Sequence, residues 1–553
     1  MSADCPPPAR RGSTAMRRSL VALACLLFVP CTARASSGTC PAGVPSGVTR
    51  CYFIAASGTD TNNGNTEDKP WLRAPGMPNC ASQCAAVTPA PGMGFLFRGG
   101  DTWHFGSSSE MPYTGGTWTI TWSGSPAANI YWGVDPGWYN STVCGSSWCR
   151  PILNADNPLS TSRTLSSCSY SVGKQNIIVQ MSGVNYNTLD NFEMLGLCQS
   201  SLDDSTQDTY IRYGFSVGPQ FLNLYMHGWT HVQFSCSGDD KGHCFNIFMF
   251  QGGAAGNGPP SDTLRNVVID GSDSDPGGAG ACYCDWWNVS NSYFRNVAQA
   301  VLRNPHLYHD NVQEYWYSPG DGHAHGNVWE SVSDAPGTNA FYNNVLRHLS
   351  PDHSGQVGIW PEPGLTTTDY FFNNLMYDTN NVGGNYFNVG QNSGDQGTLI
   401  IFNNTFEQST GNAIFECQSK HNHPFTDANN HLITDGPSAY TSPCYGKTTV
   451  GSLVQSHAKA HSQAYTSTGP YAYSPAPDCT PKTCSTVGRG TDETANFCGA
   501  LATAGLADAA AACRSDTGYA CTYNTSNHTV TCPARTANAR PEGAAWDVGA
   551  YQF

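Results

Sequence analysis

An all-β chain wound into a parallel solenoid is what this sequence predicts, on three observations. The first is a short repeat: Phe341-Tyr342-Asn343-Asn344-Val345, Phe371-Phe372-Asn373-Asn374-Leu375 and Ile401-Phe402-Asn403-Asn404-Thr405-Phe406, whose Asn pairs recur every 30 residues. A fixed period of that length means one supersecondary unit stacked on copies of itself. The second is the place of each pair, between two short apolar runs. Asparagine tolerates the left-handed backbone of a tight turn between strands, and its amide can donate to and accept from the rungs above and below. The third is composition: charged residues make up only 12% of the chain, against 58 Gly and 35 Pro, which favours short strands joined by turns over long surface helices. A β-sandwich with coincidental Asn-Asn turns is the alternative, but its strands would not return at a rung-sized period.

Looser copies of the repeat extend it in both directions. Thr188–Met194, Phe221–Met226, Leu264–Ile269 and Val289–Phe294 each centre on an Asn, at 191, 223, 266 and 291, and Asn429-Asn430-His431-Leu432-Ile433 adds a last one. The intervals of 32, 43 and 25 residues are unequal, so the rungs carry inserted loops, where stacked scaffolds place their binding surfaces.

From the N-terminus, residues 1–36 read as an export signal. Arg10, Arg11, Arg17 and Arg18 precede the apolar run Leu20–Val29, and Ala33-Arg34-Ala35 supplies a cleavage site. The run is too short to span a bilayer, so no membrane insertion is expected after cleavage; an uncleaved anchor is the alternative. Three of the 23 Cys lie in this signal, and the even number left implies a disulfide framework and an extracellular or periplasmic location. Close spacing pairs Cys80/Cys84, Cys144/Cys149, Cys479/Cys484, Cys498/Cys513 and Cys521/Cys532. Cys236, Cys244, Cys282 and Cys284 read as two further disulfides, with zinc as the alternative.

Residues 37–170 read as an N-terminal cap with the first irregular rungs, 171–450 as the repeats, and 451–553 as a disulfide-rich segment with an Ala-rich short helix in 499–513 and a capping strand at its end. The opening YFIAASGTDTNNGN (52–65), the segment FLFRGGDTW (95–103), the Asn-Asn rungs and the closing RPEGAAWDVGAYQF (540–553) together resemble secreted bacterial proteins of the pectate-lyase-like superfamily. That resemblance implies a single-stranded right-handed parallel β-helix with an N-terminal cap and a C-terminal cap segment. It leaves the reaction open, because the superfamily holds lyases, hydrolases, epimerases and non-catalytic surface proteins. The chain also departs from the better-known pectin-cleaving families, lacking their Arg-x-x-Lys and Asn-Thr-Asp motifs.

Three ionisable clusters stand out in a chain so poor in charge. Asp239-Asp240-Lys241-Gly242-His243 offers carboxylates for Ca²⁺, the cofactor expected if there is one, or an acid and a base. Asp321-Gly322-His323-Ala324-His325 places two imidazoles on one strand face about 7 Å apart, between glycines. Arg347-His348, with Asp352-His353 and Trp360-Pro361-Glu362, forms the third; its arginine suits a uronate carboxylate, or a lyase base if its pKa is lowered. The catalytic candidates are therefore His323, His325, Asp321, Lys241 and Arg347, with Asp239 and Asp240 as metal ligands. Trp229, Trp286, Trp287, Trp316, Trp329 and Trp360 are candidates for stacking on sugar rings, and Tyr315 lies among them.

The function expected is that of a monomeric carbohydrate-active protein, cleaving a polysaccharide in a groove along the side of the helix. A lyase would use the cation and base just named. A hydrolase would use two carboxylates about 5–9.5 Å apart, chosen from Asp240, Asp285, Asp321 and Glu362. A non-catalytic, glycan-binding or surface-structural β-helix is the alternative. A net charge of −15 argues against nucleic acid and anionic membranes as partners.

Overall fold

The computed structural model describes residues 38–106, 116–161, 165–168, 176–199, 208–232, 247–252, 263–274, 279–284, 288–297, 306–315, 329–331, 337–348, 357–359, 366–378, 387–389, 397–408, 411–417, 424–441, 447–465, 472–518, 521–533 and 535–553. Their strands form a parallel β-helix. In chain order each rung visits a first sheet of 13 strands and a second of 12, then a third face made of a five-stranded and a four-stranded sheet. Every pairing between these strands is parallel and joins a rung to its neighbour: Phe341 pairs with Phe371 and Phe371 with Ile401, while Val345 pairs with Leu375 and Leu375 with Thr405.

The corner from the first sheet to the second is why the Asn pairs recur. Its first residue is left-handed on nine successive rungs (Asn191, Asn223, Asn266, Asn291, Asp310, Asn343, Asn373, Asn403 and Asn429), at φ between +52° and +65°. Asp310 marks a rung that the Asn pattern hides, since Asp310-Asn311 stands there in place of Asn-Asn.

The amide ladder runs through the second residue of each pair, whose side chain turns inward, and not through Asn343, Asn373 and Asn403. Asn344 Nδ2 donates to Asn374 Oδ1, Asn374 Nδ2 to Asn404 Oδ1, and Asn404 Nδ2 to Asn430 Oδ1, each at 2.9 Å. Each oxygen also accepts the backbone amide of the rung before, as Asn374 Oδ1 does from Asn344 N at 3.0 Å. The first Asn sets the backbone geometry, and at Asn373 and Asn429 its outward amide also holds the C-terminal segment.

Inside the winding, one cluster runs from Tyr52 and Trp71 to Phe425 and Leu432. Residues 456–553 then fold back along the side. Leu501, Ala509 and Ala510, from the short helices Gly499–Thr503 and Ala507–Cys513, and Leu506 between them cover Tyr342, Tyr370 and Phe372 on the first sheet. Ala460, Tyr473, Ala550 and Tyr551 cover Val312, Val345 and Leu375 on the second. Arg540 pins the segment to the corner between them: Nη2 donates to Asn373 Oδ1 at 3.1 Å and Nε to the Ser515 carbonyl at 3.2 Å.

Seven disulfides are described, including all five pairs expected from close spacing, with Cys40–Cys51 and Cys168–Cys198 in addition. Such bonds persist in oxidising compartments. The side chains of Cys236, Cys244, Cys282 and Cys284 lie outside the described residues. No described helix is long and apolar enough to cross a membrane.

The ladder can be tested by substitution. Asn374→Ala strands donors and acceptors on two rungs and should cost about 2–4 kcal/mol in chemical denaturation. Asn403→Gly keeps the left-handed corner and removes a buried amide without a hydrogen-bond partner, so it should stay within about 1 kcal/mol of wild type. Equal losses would mean that the outer Asn carries the ladder.

Candidate functional site

Counting from the left-handed corner locates every outward side chain of the second sheet. The fourth residue after it is His227, Asp270, Arg295, Glu314, Arg347, Tyr377 and Glu407 on successive rungs, held in register by the strand pairing. At about 4.8 Å per rung this column is roughly 29 Å long. Its middle alternates in sign, Asp270, Arg295, Glu314, Arg347, so each charge has an opposite charge one rung away.

Arg347 is locked into this column. Nε donates to Glu314 Oε2 at 2.8 Å, Nη1 to the Tyr377 hydroxyl at 3.3 Å and Nη2 to the Tyr293 hydroxyl at 3.2 Å. Burial alone would weaken its hold on the proton, but Tyr377, Glu314 and Tyr293 outweigh that and raise its pKa above the ordinary arginine value. The expectation of Arg347 as a base is therefore corrected. It is a permanent cation whose fork is occupied by its neighbours.

Arg295, two rungs away, is held more loosely. Its Nε lies 3.5 Å from Asp270 and 4.0 Å from Glu314, beyond good hydrogen bonds, and the guanidinium sits between the rings of Tyr315 and Tyr523, 5.5 and 5.8 Å from their centroids.

The fifth residue after the corner forms an outer strip beside this column. Tyr315, His348 and Asp378 occupy it on three successive rungs, all left-handed at φ +52°, +52° and +50°. Upstream the same place is taken by Gly196 and Gly228, also left-handed, for which such backbone is free of strain. The Tyr315 and His348 rings stack at 4.9 Å and 13°, and His348 Nδ1 lies 2.6 Å from Asp378 Oδ2. Tyr315 is 46% exposed. With Asp378 against Nδ1, the His348 ring is oriented so that Nε2 is directed away from the carboxylate. Behind the dyad, Glu407 Oε2 accepts the Asp378 amide at 2.9 Å, while Oε1 lies 3.1 Å from His457 Nε2.

At the other end of the column, His227 lies between two carboxylates, with Asp273 2.7 Å from Nδ1 and Glu193 3.1 Å from Nε2. Burial alone would lower its pKa, but the two carboxylates outweigh this and raise it to about 9. Tyr225 stacks on its ring at 4.2 Å and His528, from the C-terminal hairpin, stacks on Tyr225 at 4.0 Å.

Most residues singled out from sequence are not among those described. Lys241, Asp239, Asp240, Trp286, Trp287, Trp316, Asp321, His323, His325 and Trp360 lie outside the described residues. Trp329 is described only by its backbone, which pairs with Val357. Trp229 is fully buried in the core, so its ring is not available to stack on a sugar. Among the described residues no group of three metal-ligating side chains converges.

The structural comparisons retrieve β-helix carbohydrate enzymes. The chain is similar to a GH136 lacto-N-biosidase from Eubacterium ramulus (14% identity, TM-score 0.35, 73% of this chain and 67% of that one). It is similar to a rhamnogalacturonan lyase (13%, TM-score 0.36, 74% and 88%) and to the pectate lyase Pel9A (13%, TM-score 0.34, 91% and 96%). No protein-family model and no curated protein matches the chain. The parallel β-helix itself rests on the strand pairing described above.

The His227 cluster fixes a pH dependence of stability. An imidazole whose pKa rises on folding, from its ordinary 6.5 to about 9, stabilises fully below about pH 6.5, and that stabilisation is lost as pH rises through 9. The thermal midpoint of wild type should exceed that of His227→Gln most at about pH 6, and the gap should shrink by about pH 9.5. A gap that widens with pH would mean that His227 is neutral in the fold.

Proposed function

We propose that this protein is a carbohydrate-active enzyme that cleaves an acidic polysaccharide along the outer strip of its second sheet. The observation that carries the reading is the line Arg295, Tyr315, His348, Asp378 on four successive rungs. It sets a loosely held cation, a half-exposed aromatic ring and a carboxylate-oriented imidazole side by side. Tyr315, whose ring stacks on His348 and lies under the Arg295 guanidinium, offers its exposed edge and hydroxyl to a sugar hydroxyl. Arg295 meets a uronate carboxylate, and the neutralised carboxylate makes the adjacent C5 proton more acidic. His348 Nε2 takes that proton. The C4–O4 bond then breaks, a C4=C5 double bond forms, and the leaving oxygen takes a proton from water.

Elimination fits this strip better than hydrolysis. A hydrolase needs one protonated and one ionised carboxylate beside the bond. Here the three more exposed carboxylates, Asp273, Asp378 and Asp435, each lie 2.6–3.0 Å from an imidazole, and Asp273 and Asp435 have pKa values below the ordinary range. That direction keeps Asp273 and Asp435 ionised and unsuited to the role of the acid, while Asp378 is engaged with His348.

Export to the cell exterior and monomeric action are part of the proposal. His323, His325 and Lys241 remain the sequence-derived candidates for further proton transfers, with Asp321 beside the His pair and Asp239 and Asp240 for Ca²⁺. Trp286, Trp287, Trp316 and Trp360 remain so for stacking.

The test is turnover on uronate-containing polysaccharides, followed by the ultraviolet absorbance of the unsaturated product. His348→Ala should lower kcat by about 10² or more, and Tyr315→Ala should act mainly on KM. Full activity in His348→Ala, with activity lost in His323→Ala or His325→Ala, would move the base away from this strip. Product with new reducing ends and no unsaturation would replace elimination by hydrolysis.

A further inference from the structure

Another corner of the winding repeats the device seen at Tyr315. Where the third face turns back towards the first sheet, the strands Ile177–Gln180 and Asp208–Arg212 pair with Val179 against Ile211 and Gln180 against Arg212. The register continues past the strand ends, since the Gly183 amide donates to the Gly214 carbonyl at 2.8 Å, which sets Gly183 opposite Phe215. Both are left-handed, at φ +74° and +62°. On one rung glycine meets the turn without strain; on the next a phenylalanine holds the same backbone, a conformation that bulky side chains rarely adopt.

The ring receives little packing in exchange for that strain. Phe215 is 71% exposed, more than any other large apolar side chain among the described residues. Among the described residues the other exposed aromatics are Phe553 and Tyr315, and Tyr315 is also left-handed at a corner where other rungs use glycine. Two strained, outward aromatic rings at two different corners are not explained by folding, because glycine serves the backbone at both.

We propose that Phe215 is the centre of a second sugar-binding site, by which the protein holds its polysaccharide at a place separate from Tyr315. This rests on the polysaccharide reading above. The ligand chemistry follows from the neighbours. Gln180, Arg212 and Gln251 stand in register on three rungs, half-buried, three residues before the corner in the case of Arg212. A single exposed ring three residues along the chain from a row of amide and guanidinium side chains suits a pyranose, which presents a C–H face and a hydroxyl rim. A protein or lipid partner would ask for a larger apolar patch.

The experiment is native-gel retardation of wild type, Phe215→Gly, Tyr315→Ala and the double variant, with polygalacturonate, alginate and xylan cast separately in the gel. Glycine already stands at the equivalent corner, so Phe215→Gly should fold with a thermal midpoint equal to or above that of wild type. It should weaken retardation about tenfold on the polysaccharide that retards wild type, and the double variant should bind less than either single one. If Phe215→Gly is retarded as strongly as wild type, the second site is wrong and the function proposed for the strip still stands. If none of the three polysaccharides retards wild type, both fall.

Discussion

The left-handed corner between the first and second sheets is the constraint on which the rest of this structure depends. A left-handed residue other than glycine costs about 1–2 kcal/mol, and nine rungs accept that cost with Asn or Asp. The buried amides beside it, Asn344, Asn374, Asn404 and Asn430, repay it by bonding rung to rung. Together they fix the phase of the second sheet. A slip of one residue would turn Arg347 into the core and Leu346 out to its surface, burying a guanidinium with no carboxylate to meet it. The winding therefore specifies which side chains face outward before any of their own interactions form.

That phase turns a few scattered charges into an ordered column. Ion pairs under cover are weak sources of stability, since desolvation cancels much of the attraction, but removing one member leaves its partner stranded. Their use here is positional. Glu314 lies between Arg347 and Arg295, and hydrogen-bonds only the first. Two residues of one type, two rungs apart, so acquire different duties. Arg347 is saturated by one carboxylate and two phenols, while Arg295 keeps its guanidinium between two rings with only long contacts to carboxylates. Covering by the C-terminal segment sharpens the difference, because it buries Tyr293, Val312 and Val345 and leaves Tyr315 exposed at the edge.

The winding was legible in the sequence because its cause is local: an Asn pair that one turn requires, repeated at one interval. The rung at Asp310 escaped because Asp satisfies the same backbone, so a pattern of letters missed what a pattern of conformations keeps. The candidate site was only half legible. Arg347, His348 and Tyr315 were noticed as charge and aromaticity, without the geometry that relates them. Arg295 and Asp378 were not, although each stands at a fixed count from its corner, four after Asn291 and five after Asn373. Trp229 shows the opposite error, since a large ring near charged residues in sequence went to the core. Composition is blind to where a side chain points; only the phase of the rungs says which of these residues share one outer face.

Strain then separates function from packing along these corners. An exposed aromatic residue alone says little, because folded surfaces carry many apolar atoms. An exposed aromatic residue in left-handed backbone says more, since a glycine would remove the strain and lose nothing that the fold uses. Gly196 and Gly228 show that alternative in the same column as Tyr315, His348 and Asp378, and Gly183 shows it opposite Phe215. His348 and Asp378 strengthen the case, because their 2.6 Å contact requires that both leave neighbouring rungs in the same direction, which the shared left-handed turn provides. A carboxylate orienting an imidazole whose other nitrogen is directed away from it is an arrangement for moving a proton. The core needs none of these side chains, and the acidic, proton-donating ligand proposed for this strip would use them together.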